Sequence, residues 1–392
     1  MSRFLFLSLP LAGHVNPMAA VSRALVERGH EVAWAGSESV LRPRLGADIQ
    51  VYPIGLRLHR GQSETGVAAI RSRWAGYVVP HVRATLPAVD QAVQAYQPDV
   101  LVVDQHAVAG AVVAHRYGLR WASAAPTTAE LGHPYLSSLP KVEAWILAQL
   151  DGVWTAAGLP GRPPHDLRFS PHLVLAFSVP ELVAPGPLPE AVEFVGVAIG
   201  QRPTEVGFRW DRLDRRRRTV LVTMGTLSMD IGKEFYQRMV EALRPLGDRV
   251  QAIVVAPDGT VADPPEHVHV YPRVPVLDLM PRLDAVVSHG GLNTVCEALL
   301  HGVPLVIAPI KGDQPVNAAR IAQAGAGIRT RFARATPDRL RADLSTVLDE
   351  PGYRASAARL GAALRAAGGA PAAARHLARL ATVDSLDNLK RS

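Results

Sequence analysis

A chain of 392 residues, 48% of them hydrophobic, is too long for one typical core and too apolar for disorder, so two domains that each bury their own interior are expected. The formal net charge of +7 comes from scattered arginines, which favours anionic small ligands and gives no nucleic-acid module; the one dense block, Arg215 to Arg218, lacks interleaved aromatics and reads as a solvated face. The single cysteine, Cys296, excludes an intramolecular disulfide and fits a reducing compartment, and no apolar run reaches membrane-span length, so a cytoplasmic protein is expected.

Residues 3–9 form a near-continuous apolar run, the pattern of a central parallel strand covered on both faces. Asn16 as N-cap and Pro17 at the first helical position predict a helix over 17–28, closed by Gly29, which leaves His14 in the strand-to-helix turn. Residues 31–35 complete a βαβ unit. An exposed loop over 55–66 and mostly helical sequence over 67–96 follow. Residues 98–104 read as a buried strand ending in Asp104, an acid that also suits an N-cap for the helix at 107–117. Strands are expected at 121–125, 173–177 and 192–195, while 131–164, with scattered Trp, Pro and Tyr, is assigned to part of a small-molecule pocket.

Residues 196–218 have the glycine, proline and charge of an interdomain linker. A second βαβ series begins with the strand 219–223 and the turn Met224-Gly225-Thr226, where a glycine lets the backbone near a phosphate and a threonine offers a hydroxyl. Strands at 250–255, 268–271, 285–288 and 304–308 follow, and none leads into Gly-x-Gly-x-x-Gly, which counts against a dinucleotide oxidoreductase. There is no Asp-x-Asp pair for a metal-held diphosphate, and no metal ligands are predicted. The segments 337–348, 352–367 and 371–382 read as Ala-rich helices.

The most informative stretch is His289-Gly290-Gly291-Leu292-Asn293-Thr294, leading through Glu297 and Gly302-Val303-Pro304 to Asp313-Gln314 and Asn317-Ala318-Ala319-Arg320. A strand end meets two glycines, then a helix with apolar residues at 292, 295, 296, 299 and 300. Its N-terminus suits phosphate oxygens, since unpaired N–H groups and the helix dipole both favour negative charge there. Thr294 adds a hydroxyl, Asn293 an amide and Glu297 a carboxylate able to accept from ribose hydroxyls. Cys296 falls on the apolar side, as a small buried hydrophobe.

This stretch resembles the donor signature of the family 1, GT-B-fold glycosyltransferases, a group that includes bacterial macrolide and antibiotic glycosyltransferases. The resemblance implies an α/β protein of two Rossmann-like doubly wound parallel-sheet domains facing across a cleft. It divides into an acceptor domain over 1–200, a linker over 201–218, a nucleotide-sugar domain over 219–375 and a C-terminal helix over 376–392 that packs back toward the first domain. It further implies that His289 and Thr294 hold the diphosphate, Glu297 the ribose, and Asp313 and Gln314 the sugar hydroxyls, with His14 as general base and Asp104 orienting it. Where relatives often carry Trp-x-Pro-Gln against the nucleotide, this chain has Arg273-Val274-Pro275-Val276: the Arg273 guanidinium is able to stack on a pyrimidine, the Gln contact is missing, and the identity of the base stays open.

The expected activity is therefore an inverting, metal-independent transfer of a hexose or deoxyhexose from a UDP- or dTDP-sugar to a hydroxyl of a hydrophobic natural product, by a monomer or homodimer without cofactor, nucleic-acid or membrane partner. A nucleotide-sugar 2-epimerase would share the fold but needs acid and base groups around the donor sugar. A non-catalytic nucleotide-sugar-binding protein would have no use for both His14 and Asp104.

Overall fold

The computed structural model describes residues 1–55, 64, 66–133, 139–200, 202, 207–225 and 232–389, the last of these as backbone alone beyond 382. The chain divides into two compact units, one of residues 1–60, 66–203 and 366–392, the other of 61–65 and 204–365. Thr226, much of the expected loop at 55–66, and residues 201 and 203–206 of the expected linker at 201–218 lie outside the described residues, as do 134–138 of the segment assigned to part of an acceptor pocket.

The first unit is built on strands β1 (Arg3–Leu7), β2 (Glu31–Gly36), β3 (Gln50–Pro53), β4 (Val100–Asp104), β5 (Arg120–Ala125), β6 (Val174–Ala176) and β7 (Val192–Phe194). They form one parallel seven-stranded sheet in the order β3-β2-β1-β4-β5-β6-β7. Alternate residues of β1 and β4 go to opposite faces, as strand geometry requires. Leu5, Leu7, Leu101 and Val103 join the helices Val79–Tyr96, Ala109–Arg116 and Pro140–Ala156 in one core. Phe4, Phe6, Val100 and Val102 join the helices Ala12–Val26 and Gly369–Leu389 in the other. The C-terminal helix is tied to this unit by polar contacts as well: the Gly369 N–H donates to the Val195 carbonyl at 2.6 Å, and Arg120 donates to the Leu380 carbonyl at 2.8 Å.

The first helix begins at Ala12, not at Pro17, so His14 lies in its first turn. The Leu11 carbonyl accepts from the N–H groups of both His14 and Val15 at 2.9 Å, and the Asn16 side chain, instead of capping, accepts from Arg44 at 3.0 Å. The local capping signal loses to tertiary packing, which seats Val15, Met18, Val21 and Leu25 on the sheet. Between 66 and 96 the helical segment is interrupted by a π turn, Ser72–Val78, in which the Val79 N–H reaches back to the Trp74 carbonyl. Pro80, with no N–H to continue the regular ladder, follows directly.

The second unit repeats the plan with β8 (Arg218–Thr223), β9 (Val250–Val255), β10 (Val268–Tyr271), β11 (Ala285–Ser288), β12 (Leu305–Ile307) and β13 (Gly327–Arg329). The order is β10-β9-β8-β11-β12-β13, again all parallel. The edge strands β3 and β13 have no counterpart in the sequence reading, because short edge strands lack the apolar run that marks a buried one. Gly361, in the helix Pro351–Ala366, packs so tightly on the end of the helix Leu292–Leu300 that a Cβ would lie 2.0 Å from the Leu299 carbonyl oxygen. Helix propensity alone would make Gly361→Ala stabilising by about 1 kcal/mol. The contact reverses the sign, and we expect a net loss of about 1–3 kcal/mol, measured by urea or thermal unfolding; a variant as stable as wild type would contradict this packing.

Candidate active site

In an open parallel sheet, a crevice opens at the carboxyl ends of the two strands where the order reverses. In the first unit those strands are β1 and β4, in the second β8 and β11. Leu7 pairs with Val103, and Thr223 with Ser288, so the residues just beyond each pair are brought together: His14 with Asp104, and Gly225 with His289.

The His14 Nδ1 atom lies 2.7 Å from Asp104 Oδ2. The His14 side chain keeps 17% of its exposure, whereas Asp104 is wholly buried. The same carboxylate oxygen accepts from the Ser8 hydroxyl and the Leu9 N–H, each at 3.3 Å, and Oδ1 accepts from the His106 N–H at 2.9 Å. Asp104 therefore does not cap the following helix, which begins only at Ala109. Burial pushes its carboxyl up, but the charges and hydrogen bonds of His14 and His106 outweigh burial and hold it below the usual carboxylate range.

In the second unit the imidazole of His289 fills the space between two glycines. A Cβ on Gly225 would lie 2.5 Å from its Cε1, and one on Gly291 would lie 2.8 Å from its Nε2. Gly290, at φ +87°, is in the left-handed region, and a Cβ there would meet Ile307 at 2.6 Å. Gly291 begins the helix Leu292–Leu300 without a side-chain cap, leaving the first N–H groups of the helix to other partners. Asn293 and Thr294 are half-buried in its first turn, and Glu297 is buried one turn on. Burial pushes His289 below its ordinary value, only partly offset by Asp313 and the Thr223 carbonyl.

Beyond β12, Asp313 is half-buried and precedes the helix Gln314–Gln323. The Gln314 side-chain oxygen accepts from the N–H groups of Ile310 and Lys311 at 2.8 and 2.9 Å. Asn317 donates to both the Gly290 carbonyl and Asp313 Oδ2 at 2.9 Å. Arg273 is exposed and Val274 buried, just ahead of the short helix Val276–Leu279.

Sequence reasoning passed over a second polar cluster behind Asp104. Buried His106 places Nε2 3.2 Å from Glu130 Oε1, and Glu130 Oε2 accepts from Arg168 at 3.1 Å. Arg168, itself fully buried, also donates to Asp166 and Glu143, and Glu143 meets His133 at 3.2 Å. The one signal available in sequence was a charged residue, Glu130, in an otherwise uncharged run from Ala124 to Leu131.

Residues 242–378 match the family described as erythromycin biosynthesis protein CIII-like, C-terminal domain. The chain is 31% identical to 4'-demethylrebeccamycin synthase of Lentzea aerocolonigenes over 92% of this chain and 94% of that protein. It is 27% identical to demethyllactenocin mycarosyltransferase of Streptomyces fradiae, over 95% and 85% of the two chains. The solved structure of the glycotransferase of kitacinnamycin superposes with a TM-score of 0.84 at 26% identity, covering 97% of this chain and 99% of that one. With likeness of this extent in sequence and in fold, the chain belongs to the macrolide and antibiotic glycosyltransferases of the GT-B fold.

Proposed function

We propose that the protein moves a hexose or deoxyhexose from a UDP- or dTDP-sugar to a hydroxyl of a hydrophobic small-molecule natural product, with inversion and without metal. The observation that carries this reading is the 2.7 Å contact between His14 Nδ1 and buried Asp104. With Nδ1–H donated to the carboxylate, Nε2 is the nitrogen left to take the acceptor's proton, and Asp104 stabilises the imidazolium that forms. The acceptor oxygen then bonds to the anomeric carbon as the bond from that carbon to the diphosphate oxygen breaks.

Leaving-group charge falls to the second unit. The turn at Gly290 and Gly291, the helix N-terminus and Thr294 supply donors for the diphosphate, to which the sequence reading adds Gly225 and Thr226. Burial pushes His289 below its ordinary value, which favours the neutral ring and a role as hydrogen-bond donor. Glu297 takes the ribose, Asp313 and the Gln314 amide nitrogen take sugar hydroxyls, and Arg273 with Val274 borders the base. A direct displacement is favoured because His14 and Asp104 make an acceptor-activating base, and the carboxylate of Asp313 is already engaged by Asn317.

His14→Ala should lower turnover by about 10²- to 10⁴-fold while nucleotide binding stays near wild type, the usual worth of a general base; transfer within a few-fold of wild type would remove His14 from that role. His289→Ala and Glu297→Ala should each weaken nucleotide diphosphate binding by roughly 1–3 kcal/mol in calorimetry, with acceptor binding spared, and unaltered nucleotide affinity in both would overturn the donor assignment. Across a panel of UDP- and dTDP-sugars with hydrophobic alcohols, the reaction should persist in excess chelator and give a product of inverted anomeric configuration by NMR. Retention, or a loss with chelator that a divalent cation restores, would refute the mechanism.

A further inference from the structure

The transfer chemistry above uses one oxygen of Asp104 and leaves the groups behind it without a task. Oδ2 is shared by His14, Ser8 and Leu9, whereas the bond recorded to Oδ1 is from the His106 N–H, at 2.9 Å. The turn that presents this N–H is held through the His106 ring. Glu130 grips Nε2 at 3.2 Å, and Trp74, which begins the back-bond of the π turn, meets the ring edge-on with centroids 5.8 Å apart. Glu130 is in turn fixed by Arg168, whose guanidinium is also anchored on Asp166 and Glu143. His106 is 1%, Glu130 3% and Arg168 0% exposed, so none of the three is a surface pair that water would loosen. The rings of His14 and His106 are 5.8 Å apart, and one polar atom from each lies within 4.8 Å of the other and of Asp104.

Burying this many ionic groups is expensive, at several kcal/mol per ion after relaxation, and apolar residues of the same volume would stabilise the unit at least as well. Such a cluster defines one arrangement instead, because each carboxylate oxygen and each guanidinium N–H admits few partners at hydrogen-bond distance. Burial pushes Glu130 up, yet the charges of His106, Arg168 and Arg73 outweigh it and keep the carboxylate ionised, so the grip on His106 is charge-assisted.

We infer that His106, clamped by Glu130 and Arg168, is a positioning residue for glycosyl transfer: it fixes the rotation of the Asp104 carboxylate and through it the orientation of the His14 ring. The chain of contacts is thus His14, Asp104, His106, Glu130, Arg168, and the last three act without touching substrate. This rests on His14 being the base, and a misalignment near 1 Å at such a group is enough to cost turnover a factor of ten to a hundred.

The test uses the full-length protein in five forms: wild type, His14→Gln, His106→Leu, His106→Gln and Glu130→Gln. The first readout needs no substrate: the downfield proton resonance of the His14 Nδ1–H bonded to Asp104, assigned by its absence in His14→Gln. The second is steady-state kinetics with the most active UDP- or dTDP-sugar and alcohol of the panel above, and the third is thermal unfolding. His106→Leu is expected to shift or lose the resonance and to lower kcat by about tenfold or more with the KM for the nucleotide sugar unchanged. His106→Gln, whose amide can still donate to Glu130, should recover most of both. Glu130→Gln, which keeps shape and one hydrogen bond, should fall between and serves if His106→Leu does not fold. A resonance at its wild-type position with kcat within twofold in a folded variant overturns the inference. Equal losses in the leucine and glutamine variants, in proportion to lowered melting temperature, also overturn it by reducing the role to stability. Full turnover in His14→Gln would instead strike the proposed base, and the resonance would still decide what His106 positions.

Discussion

A parallel sheet that reverses its strand order must send the chain to one face before the reversal and to the other after it, since each crossover is right-handed. In the first unit the helix Ala12–Val26 leaves β1 for one core and the helix Ala109–Arg116 leaves β4 for the other. The two turns diverge from adjacent strand ends and cannot fill the space between them. His14 and Asp104 stand on either side of that gap, and their pairing follows from register as much as from chemistry. The second unit makes the same reversal at β8 and β11, and there the diverging turns are glycines at positive φ, Gly225 and Gly290. One topological constraint thus yields a histidine–aspartate pair in one sheet and a glycine-lined turn in the other, with the difference written only in the turn residues.

The turn residues differ as the two proposed tasks require. A base must be held by something that remains charged when buried, and Asp104 stays ionised because His14 and His106 together outweigh its desolvation. A phosphate site needs close backbone approach; at the turn proposed for it, Gly290 takes a left-handed φ, and Gly225 and Gly291 leave room for the His289 ring by having no Cβ. Exchanging the two solutions would fail in both places: a left-handed glycine turn offers no proton acceptor, and a buried carboxylate repels a diphosphate.

The sheets, and the family to which the stretch from His289 to Gln314 points, were legible in the sequence because both signals are local. Apolar runs marked most of the strands, and β9, β10 and β11 coincide with their predicted ranges. The spacing from His289 to Gln314 is likewise a property of one βαβ segment. What was not legible is what depends on neighbours distant in sequence. The start of the first helix at Ala12 is fixed by its seat on the sheet, and the edge strands β3 and β13 exist only because β2 and β12 lie beside them. The Glu130–Arg168 pair joins residues 38 apart in loops that carry no periodicity, so no window of sequence contains the signal.

Asn317 illustrates how a residue read as part of a signature acquires its reason only in three dimensions. Its amide nitrogen serves two acceptors at once, the Gly290 carbonyl and the Asp313 carboxylate, a task an –NH2 group can perform and an oxygen cannot. The orientation of the amide is therefore fixed by its partners, and aspartate at this position would set a third acceptor against two. Through this bridge the glycine turn proposed to receive the diphosphate and the carboxylate proposed to receive the sugar are held at a constant separation by one side chain, itself buried in the helix Gln314–Gln323. A donor that spans from diphosphate to sugar thus meets a ruler already set before it binds, so less ordering is left to be done on binding.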